Sequence, residues 1–254
     1  MNYEDRHEFI LEVLRKSGGA IRVEDLAKRA GVSGATIRSD LRLLESQHLI
    51  RRSHGLAAPV KQDVIDLPIS EKYKINSEAK QAIGRKAASL LNDGDSIILT
   101  SGTTAEALAW AFPDDKNINA LTSSIRIAGI LSTKENVRTV VLGGTLIRNS
   151  LSVRDDYSIA GLDNIHAGKM FFSCDGFDAE SGITTAFPEE ARLTCRMMEC
   201  SLEHILLADS SKFGKIGFGR ICDLEKADVI ITDKGLSPAV REKIELAGTK
   251  VIIA

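Results

Sequence analysis

The sequence lacks an apolar run long enough to cross a membrane. Among its 254 residues the longest apolar stretches, such as residues 205–208, fall far short of the roughly 20 residues that a bilayer requires. The first residues are charged and lead into an amphipathic pattern, without the apolar core of a signal peptide. We therefore expect a cytoplasmic protein with no membrane partner.

The sequence also lacks the patterns typical of metal and nucleotide sites. Its four cysteines form no C-x-x-C pair, and its five histidines form no H-E-x-x-H motif. It has neither the glycine and lysine spacing of a P-loop nor a G-x-G-x-x-G fingerprint after a strand. We therefore expect no metal ion and no cofactor, and we expect the cysteines to stay reduced, as small packed residues.

Composition and charge exclude few classes of protein. Hydrophobic residues make up 43% of the chain and charged residues 27%, which is ordinary for a globular protein with one or two domains. Residues 1–60 contain ten Lys or Arg against eight Asp or Glu. An excess this small is common on solvated surfaces, so charge alone does not predict a DNA partner.

Hydrophobic residues at helical spacing predict three helices in the first 60 residues. The first covers about residues 4–17, and the second covers residues 23–30, where Gly31 ends it. Ser33 is placed to cap the third helix, whose inner face is Ile37, Leu41 and Leu44. Two helices joined by a short glycine-bearing turn predict a helix-turn-helix.

The outer face of the third helix has a composition that suits DNA. At about 100° per residue, Ala35, Arg38, Ser39 and Arg42 lie opposite the inner face. Arginines reach phosphates and guanine edges, and small residues permit close approach to the major groove. The alternative is the solvated face of a three-helix bundle, because every amphipathic helix has a polar side.

The residues after the third helix favour DNA binding. Arg51, Arg52 and His54 follow an apolar pair and precede Gly55, which is the pattern of a β-wing that lies along a phosphate backbone. The predicted DNA-binding residues are Ser33, Ala35, Thr36, Arg38, Ser39, Arg42, Arg51, Arg52 and His54.

Helical periodicity lapses after residue 57, where Pro59 and Pro68 stand among charged residues. We therefore predict a DNA-binding domain over residues 1–57, a linker over residues 58–76 and an effector domain over residues 77–254.

Strand-like and helix-like segments alternate in the larger domain. Helical patterns separate most of the apolar runs, which predicts an α/β domain with a mainly parallel sheet and helices on both faces. The predicted strands are 96–100, 118–122, 137–142, 170–174, 204–208, 229–232 and 250–253, and the predicted helices between them include 125–131, 189–200 and 237–246.

Polar loops follow several of these strands, at the edge where such sheets bind ligands. The loop from Ser101 to Thr104 opens a helix and offers hydroxyls, backbone N–H groups and the positive end of the helix dipole, which together suit a phosphate. The alternative is an ordinary helix cap, which needs only one of these hydroxyls. Asp175 and Asp178 suit sugar hydroxyls and Lys212 suits an anion, although each also fits a solvated turn or surface.

The first domain resembles the DeoR family of bacterial repressors. The resemblance covers residues 27–55 and centres on V-S-G-A-T-I-R-S-D-L at residues 32–41, with R-S-H-G at residues 52–55. The family often has arginine where this chain has Ser39 and glycine where it has Leu56.

The second domain resembles the DeoR effector domain, so that the resemblance covers nearly the whole chain. It includes Ser101 to Thr104, Gly143-Gly144, the D-G-x-D at residues 175–178, Glu189-Glu190 and D-S-S-K-F at residues 209–213, while Ser123 stands where the family usually has asparagine. That domain is similar to ribose-5-phosphate isomerase, which implies phosphate at the first loop, sugar at the aspartates and an anion at Lys212. The implied effector-binding residues are Ser101, Gly102, Thr103, Thr104, Ser123, Gly143, Gly144, Asp175, Asp178, Glu189, Glu190 and Lys212.

These observations predict a repressor of a carbohydrate-utilisation operon that binds double-stranded operator DNA and responds to a phosphorylated sugar. We expect a homo-oligomer, dimer or tetramer, because helix-turn-helix proteins usually pair two heads on two half-sites. The alternative is a sugar-phosphate isomerase with Glu189 or Glu190 as base. The isomerase has a lysine between its aspartates and its glutamate, and residues 179–188 contain none, which favours a regulator without enzyme activity. A DNA-binding protein with a vestigial pocket is a third reading.

Overall fold

The chain forms two compact units. The computed structural model describes residues 3–17, 20–46, 49–53, 55–59, 62–63 and 67–254, without the side chains of residues 4, 15, 16, 51, 53, 59, 62 and 63. The smaller unit comprises Met1–Gln62 with Ser237–Glu242, and the larger unit comprises Asp63–Leu236 with Lys243–Ala254. Within the described ranges no helix combines the length and the apolar character that a membrane span needs.

The smaller unit has three helices and a three-stranded antiparallel sheet. The sheet has the order β1-β3-β2. The elements are α1 (Tyr3–Ser17), β1 (Ile21–Arg22), α2 (Val23–Ala30), α3 (Gly34–Ser46), β2 (Ile50–Ser53) and β3 (Leu56–Pro59). The predicted helices and the hairpin after them are confirmed, and the arrangement is that of a winged helix-turn-helix.

Local sequence explains the boundaries of α2 and α3. Gly31 has a φ of 67°, a left-handed conformation that glycine adopts without strain, and it ends α2. The hydroxyl of Ser33 accepts a hydrogen bond from the backbone N–H of Thr36 at 3.1 Å, which confirms the predicted cap. Ile37 and Leu41 of α3 are fully buried in the core of the unit.

From residue 62 onward the chain forms a three-layer α/β fold. A parallel sheet of seven strands has the order β17-β16-β13-β10-β5-β6-β7. The elements are β4 (Gln62–Asp63), α4 (Ile69–Lys74), α5 (Ser77–Ala88), β5 (Ser96–Leu99), α6 (Thr103–Trp110), β6 (Ile118–Thr122), α7 (Ile125–Leu131), β7 (Val137–Val141), β8 (Leu146–Ile147), β9 (Ser152–Val153), α8 (Asp156–Ala160), β10 (Ala167–Ser173), β11 (Gly176–Asp178), β12 (Gly182–Thr185), α9 (Pro188–Glu199), β13 (Ser201–Leu207), β14 (Lys215–Ile216), β15 (Gly219–Cys222), β16 (Val229–Thr232), α10 (Pro238–Leu246) and β17 (Lys250–Ile253).

Both faces of this sheet are buried, as parallel sheets require. Alternate strand residues such as Leu99 and Phe171 pack in one cluster with α5, α6 and α7. Their neighbours Ile98 and Phe172 are buried on the opposite face, where α9 packs on β10 and β13. The predicted α/β fold with a mainly parallel sheet is confirmed, and each predicted strand lies within a few residues of an observed one.

The structure differs from the prediction in several places, two of which bear on the candidate site. The segment predicted as an irregular linker contains α4, so the expectation that helical order lapses throughout residues 58–76 is wrong for Ile69–Lys74. A small antiparallel sheet of β11, β12 and β15, in the order β11-β12-β15, was not predicted. Its strands have three or four residues each, too few to show an alternating pattern.

Candidate functional site

The outer face of α3 is exposed, as the helical spacing predicts. Ala35, Arg38, Ser39 and Arg42 are exposed, whereas Ile37 on the opposite side is buried. This face offers positive charge and small side chains. It therefore has the shape and chemistry that a major groove accepts.

Two arginines of this face already have partners within the smaller unit. The Arg38 guanidinium lies 3.2 Å from a carboxylate oxygen of Glu24 on α2, and both side chains are more than half exposed. The Nε of Arg42 donates to the carbonyl oxygen of Arg38 at 3.4 Å. An ion pair this exposed contributes little to stability, so a phosphate can replace Glu24 as the partner of Arg38.

Glu45 of α3 and Arg52 of β2 join the helix to the β2–β3 hairpin. Glu45 of α3 accepts from the backbone N–H of Arg52 at 3.1 Å and from its Nε at 2.8 Å. The backbone of Arg51 lies in β2, its side chain is outside the described atoms, and His54 lies outside the described residues. Of the predicted DNA-binding arginines, Arg52 as well as Arg38 is therefore paired with a carboxylate.

In the larger unit the candidate site lies where the strand order reverses. β5, β6 and β7 succeed one another in one direction across the sheet, while β10, β13, β16 and β17 continue in the other. The carboxyl ends of β5 and β10 therefore diverge into a crevice, the usual position for a ligand in an open parallel sheet. The loop from Ser101 to Thr104 leaves β5 at this point, and Asp175 follows β10.

The geometry of the first loop bears on the helix-cap alternative. Gly102 occupies the N-cap position of α6 with a φ of 126°, and no side chain forms a cap hydrogen bond there. A methyl group on Gly102 would lie 3.2 Å from the side chain of Ser173. The Ser173 hydroxyl is buried and has no hydrogen-bond partner among the described atoms. The first turn of α6 thus begins without a side-chain cap, next to the buried hydroxyl of Ser173.

Asp175 is the most connected carboxylate of the site. One oxygen lies 3.2 Å from the ammonium of Lys72 and 3.8 Å from that of Lys212. The other accepts from the hydroxyl of Thr185 at 3.0 Å and from the N–H of Ala186 at 3.1 Å. Burial opposes ionisation, but the two lysines and these donors hold the pKa of Asp175 below its usual range.

The two predicted glutamates occupy different environments. Glu189 is exposed in the first turn of α9. Glu190 is 29% exposed and accepts from Arg154 at 3.1 Å, and the Arg154 guanidinium lies 4.2 Å from the ring centre of Phe187. Burial and the nearby charge of Asp175 raise the pKa of Glu190. Glu190 therefore lies beside Asp175 in the site, while Glu189 faces solvent.

Three other predicted residues make contacts within the fold. The carbonyl oxygen of Gly143 accepts from the Ser158 hydroxyl, and a methyl group on Gly144 would lie 2.4 Å from a carboxylate oxygen of Asp155. Asp178 accepts from the backbone N–H groups of residues 180 and 181 and so holds the β11–β12 turn. The contacts of Gly144 and Asp178 account for those two residue types within the fold, whereas the carbonyl contact of Gly143 could be made by any residue.

Ser123 follows β6, is buried, and its carbonyl oxygen accepts from the N–H of Val153 at 2.9 Å.

The structure adds residues that the sequence reasoning missed. Lys80 of α5 is buried, and its ammonium donates to the carbonyl oxygen of Lys72 at 2.5 Å. Asp209 is also buried; one oxygen accepts from Asn76 at 2.8 Å, and the other has no hydrogen-bond partner among the described atoms. The signal for Lys80 was its place three residues before Ile83, on the buried face of α5, where lysine is rare.

A winged helix-turn-helix followed by a ligand-binding α/β domain defines a ligand-responsive DNA-binding regulator. Residues 6–63 match the DeoR-like helix-turn-helix domain, and residues 75–234 match the DeoR C terminal sensor domain. The chain belongs to the DeoR family of transcriptional regulators.

Relatives of similar length support this assignment. The chain is 37% identical over 247 residues to the uncharacterized HTH-type transcriptional regulator YulB of Bacillus subtilis (strain 168), covering 97% of this chain and 95% of the relative. It is 33% identical over 251 residues to the putative aga operon transcriptional repressor of Escherichia coli O157:H7, covering 98% and 93%. Among solved structures, ribose 5-phosphate isomerase A from Methanocaldococcus jannaschii is 16% identical, with a TM-score of 0.41 over 54% of this chain and 55% of that one.

Proposed function

We propose that the protein is a repressor of a carbohydrate-utilisation operon and that a phosphorylated sugar, bound in the larger unit, changes its affinity for operator DNA. The observation that carries this proposal is that the Ser101–Thr104 loop and Asp175 follow the neighbouring strands β5 and β10, at the crevice where the strand order reverses. The name of the aga operon repressor, which matches this chain along nearly its whole length, supports it.

The outer face of α3 is proposed to read the major groove. Arg38 and Arg42 reach bases or phosphates, while Ala35 and Ser39 let the helix approach closely. The other proposed contacts are the residues of the helix N-terminus and the wing, namely Ser33, Thr36, Arg51, Arg52 and His54. Two heads on two half-sites require a homo-oligomer, and a regulator that binds operator DNA is proposed to act in the cytoplasm.

In the larger unit the phosphate is proposed to lie on the backbone and hydroxyls of the Ser101–Thr104 loop. The start of α6 supplies the positive end of a helix dipole, and the Ser173 hydroxyl is within reach as a further donor. Asp175 and Glu190 accept from sugar hydroxyls, and Lys212 pairs with the anionic group.

The isomerase alternative rests on Glu190, whose raised pKa is a property of a general base. Its ion pair with Arg154 argues against that role, because the guanidinium holds the carboxylate in place and stabilises its charge. We propose that the protein is not an enzyme and that incubation with aldose and ketose phosphates gives no interconversion. Isomerisation that requires the protein and disappears in Glu190→Gln would reverse this assignment.

The test is an operator titration at fixed salt, with and without each member of a panel of sugar phosphates and the matching free sugars. Wild type should change its operator affinity with at least one sugar phosphate and with no free sugar. Asp175→Asn and Lys212→Ala should bind operator as wild type does and lose the response. Wild-type protein that binds operator identically under all conditions would refute the sugar-phosphate proposal.

A further inference from the structure

Helix α4 is a short element whose position depends on its surroundings. It has six residues, Ile69–Lys74, and none of its side chains is fully buried. A helix this short is unstable alone, so its contacts with the larger unit decide whether and where it forms. It is also the first helix of the larger unit, reached along the chain directly from the smaller unit.

One set of these contacts leads into the proposed effector site. The Lys72 ammonium lies 3.2 Å from Asp175, and the carbonyl oxygen of Lys72 accepts from the buried ammonium of Lys80. Both side chain and backbone of this residue are thus engaged by residues at the crevice. The two partners are 103 and 8 residues away along the chain.

A second set of contacts leads to the helix that begins at the phosphate loop. The Tyr73 hydroxyl donates to Glu106 of α6, a carboxylate that is only 2% exposed. Arg126 of α7 donates to the same carboxylate at 3.1 Å, and its guanidinium lies 4.9 Å from the centre of the Tyr73 ring. This attachment holds α4 independently of Lys72.

The charges around Lys72 are suited to an added anion. Lys72 and Lys212 both lie close to one oxygen of Asp175. Lys80 is buried near them, and this burial lowers the pKa of its ammonium group. Asp175 itself is secured by Thr185 and by a backbone N–H on its other oxygen, so it stays in place if a lysine leaves. An anion between the ammonium groups would relieve their mutual repulsion.

We propose that Lys72 is a ligand-binding residue whose ammonium moves from Asp175 to the anionic group of the effector, and that this exchange holds α4 more firmly on the larger unit. The proposal rests on the proposed function for the identity of the effector as a sugar phosphate. It places the ligand in direct contact with the segment that continues into the DNA-binding unit. The polypeptide chain itself then links ligand binding to that unit.

The exchange is tested on the full chain with inorganic phosphate as the probe. Titration calorimetry should show about tenfold weaker phosphate binding in Lys72→Gln than in wild type, and recovery in Lys72→Arg, which restores the charge. Lys74→Gln is the matched control, because Lys74 lies on the same helix, is 71% exposed and pairs with Glu71 of the same helix. Its phosphate affinity should equal that of wild type.

Hydrogen exchange of residues 69–74 tests the effect on the helix. Phosphate should slow exchange in wild type and in Lys74→Gln but leave it unchanged in Lys72→Gln. Tyr73→Phe separates binding from simple placement of α4, because it removes the hydroxyl that donates to Glu106 and keeps the Lys72 ammonium. It should bind phosphate within about twofold of wild type, since no charge-assisted contact to the anion is lost.

Three results would overturn the proposal. The first is that Lys72→Gln binds phosphate as tightly as wild type. The second is that Tyr73→Phe loses as much phosphate affinity as Lys72→Gln. The third is that phosphate does not change the hydrogen exchange of α4 in wild type. Failure of the proposed function would appear separately, as an operator affinity that no sugar phosphate alters in a protein whose Lys72 still binds phosphate.

Discussion

Asp40 of α3 accepts two hydrogen bonds from the guanidinium of Arg6 on α1, at 2.6 and 3.0 Å. The carboxylate is 3% exposed, and the ring of His7 lies 3.3 Å from one of its oxygens. Because Asp40 is the polar residue on the inner face of the helix that carries Arg38, this pair fixes α3 against α1. The pair therefore helps to hold in position the outer face of α3, which is proposed to bind DNA.

Replacing Asp40 with Asn should loosen α3. Removing one partner from a buried, charged hydrogen-bonded pair costs about 2 kcal/mol, which corresponds to roughly thirtyfold faster hydrogen exchange of residues 34–46 in the full chain. Glu8→Gln removes a carboxylate from an exposed position of α1 and should leave that exchange unchanged. Equal protection in Asp40→Asn and wild type would show that apolar packing alone holds the helix.

The same pair predicts the response to acid. Burial raises the pKa of Asp40, but the hydrogen bonds and charges of Arg6 and His7 outweigh it and hold the pKa below the usual value of about 3.9. A carboxylate with a lowered folded-state pKa stabilises the fold above its unfolded pKa and loses that contribution as pH falls through the folded value. Protection of residues 34–46 should therefore fall more steeply below pH 4 in wild type than in Asp40→Asn.

Arg38→Ala should lower operator affinity by about 1 to 3 kcal/mol if the side chain reads a base. Glu24→Gln should not weaken binding, because it releases Arg38 from its exposed ion pair and removes a negative charge near the DNA. Arg192→Ala serves as control, since Arg192 forms a similarly exposed ion pair in the larger unit. A mobility-shift titration at fixed salt measures all three; unchanged affinity in Arg38→Ala would remove this residue from the interface.

Gly102→Ala should abolish phosphate binding. The added methyl group is strained at a φ of 126° and lies against Ser173, which closes the loop on the anion site. Gly94→Ala has a conformational cost of about 1 kcal/mol at a φ of 80° but meets nothing within 4 Å, and Gly94 precedes β5, at the opposite end of that strand from the loop. Both variants should melt at a lower temperature, and only Gly94→Ala should still be stabilised by added phosphate. Stabilisation of both would move the phosphate to another site.

Phosphate binding should weaken as pH rises through about 8. Burial and the charges of Lys72 and Lys212 lower the pKa of Lys80 to about 8, although Asp209 opposes this shift. Below that pH the ammonium attracts the anion, and above it the neutral amine does not. We expect the affinity to fall about tenfold between pH 7 and pH 9.5. In Lys80→Gln this decline should be absent in calorimetric titrations, and its persistence there would assign it to another group.

The sequence predicted most of the framework because local spacing determines it. Ile37 and Leu41 recur at helical spacing. The strands of the parallel sheet are buried on both faces, so they are recognisable in the sequence as continuous apolar runs. The position of the candidate site, where the strand order reverses, could also be predicted in part, because the polar loops after parallel strands meet at one edge of the sheet. The roles of Asp175 and Lys212 stay predictions, although the structure brings both to that edge.

The rest depends on contacts between distant parts of the chain. Lys72 lies in a segment without apolar periodicity, and its partner Asp175 is 103 residues away. Nothing local shows that Lys80 and Asp209 come together, because helix and strand order place them side by side only in the folded sheet. The glycine-bounded strands β11, β12 and β15 are too short for their period to be visible.

The pairing of Glu45 with Arg52 links the wing to the helix that is proposed to read DNA. One carboxylate engages both the backbone and the side chain of Arg52, so this link exists before DNA binds. A wing that is already linked to the helix loses less conformational entropy on docking than a free one would. It also favours a particular groove width, so the shape of the operator should contribute to selection along with its bases.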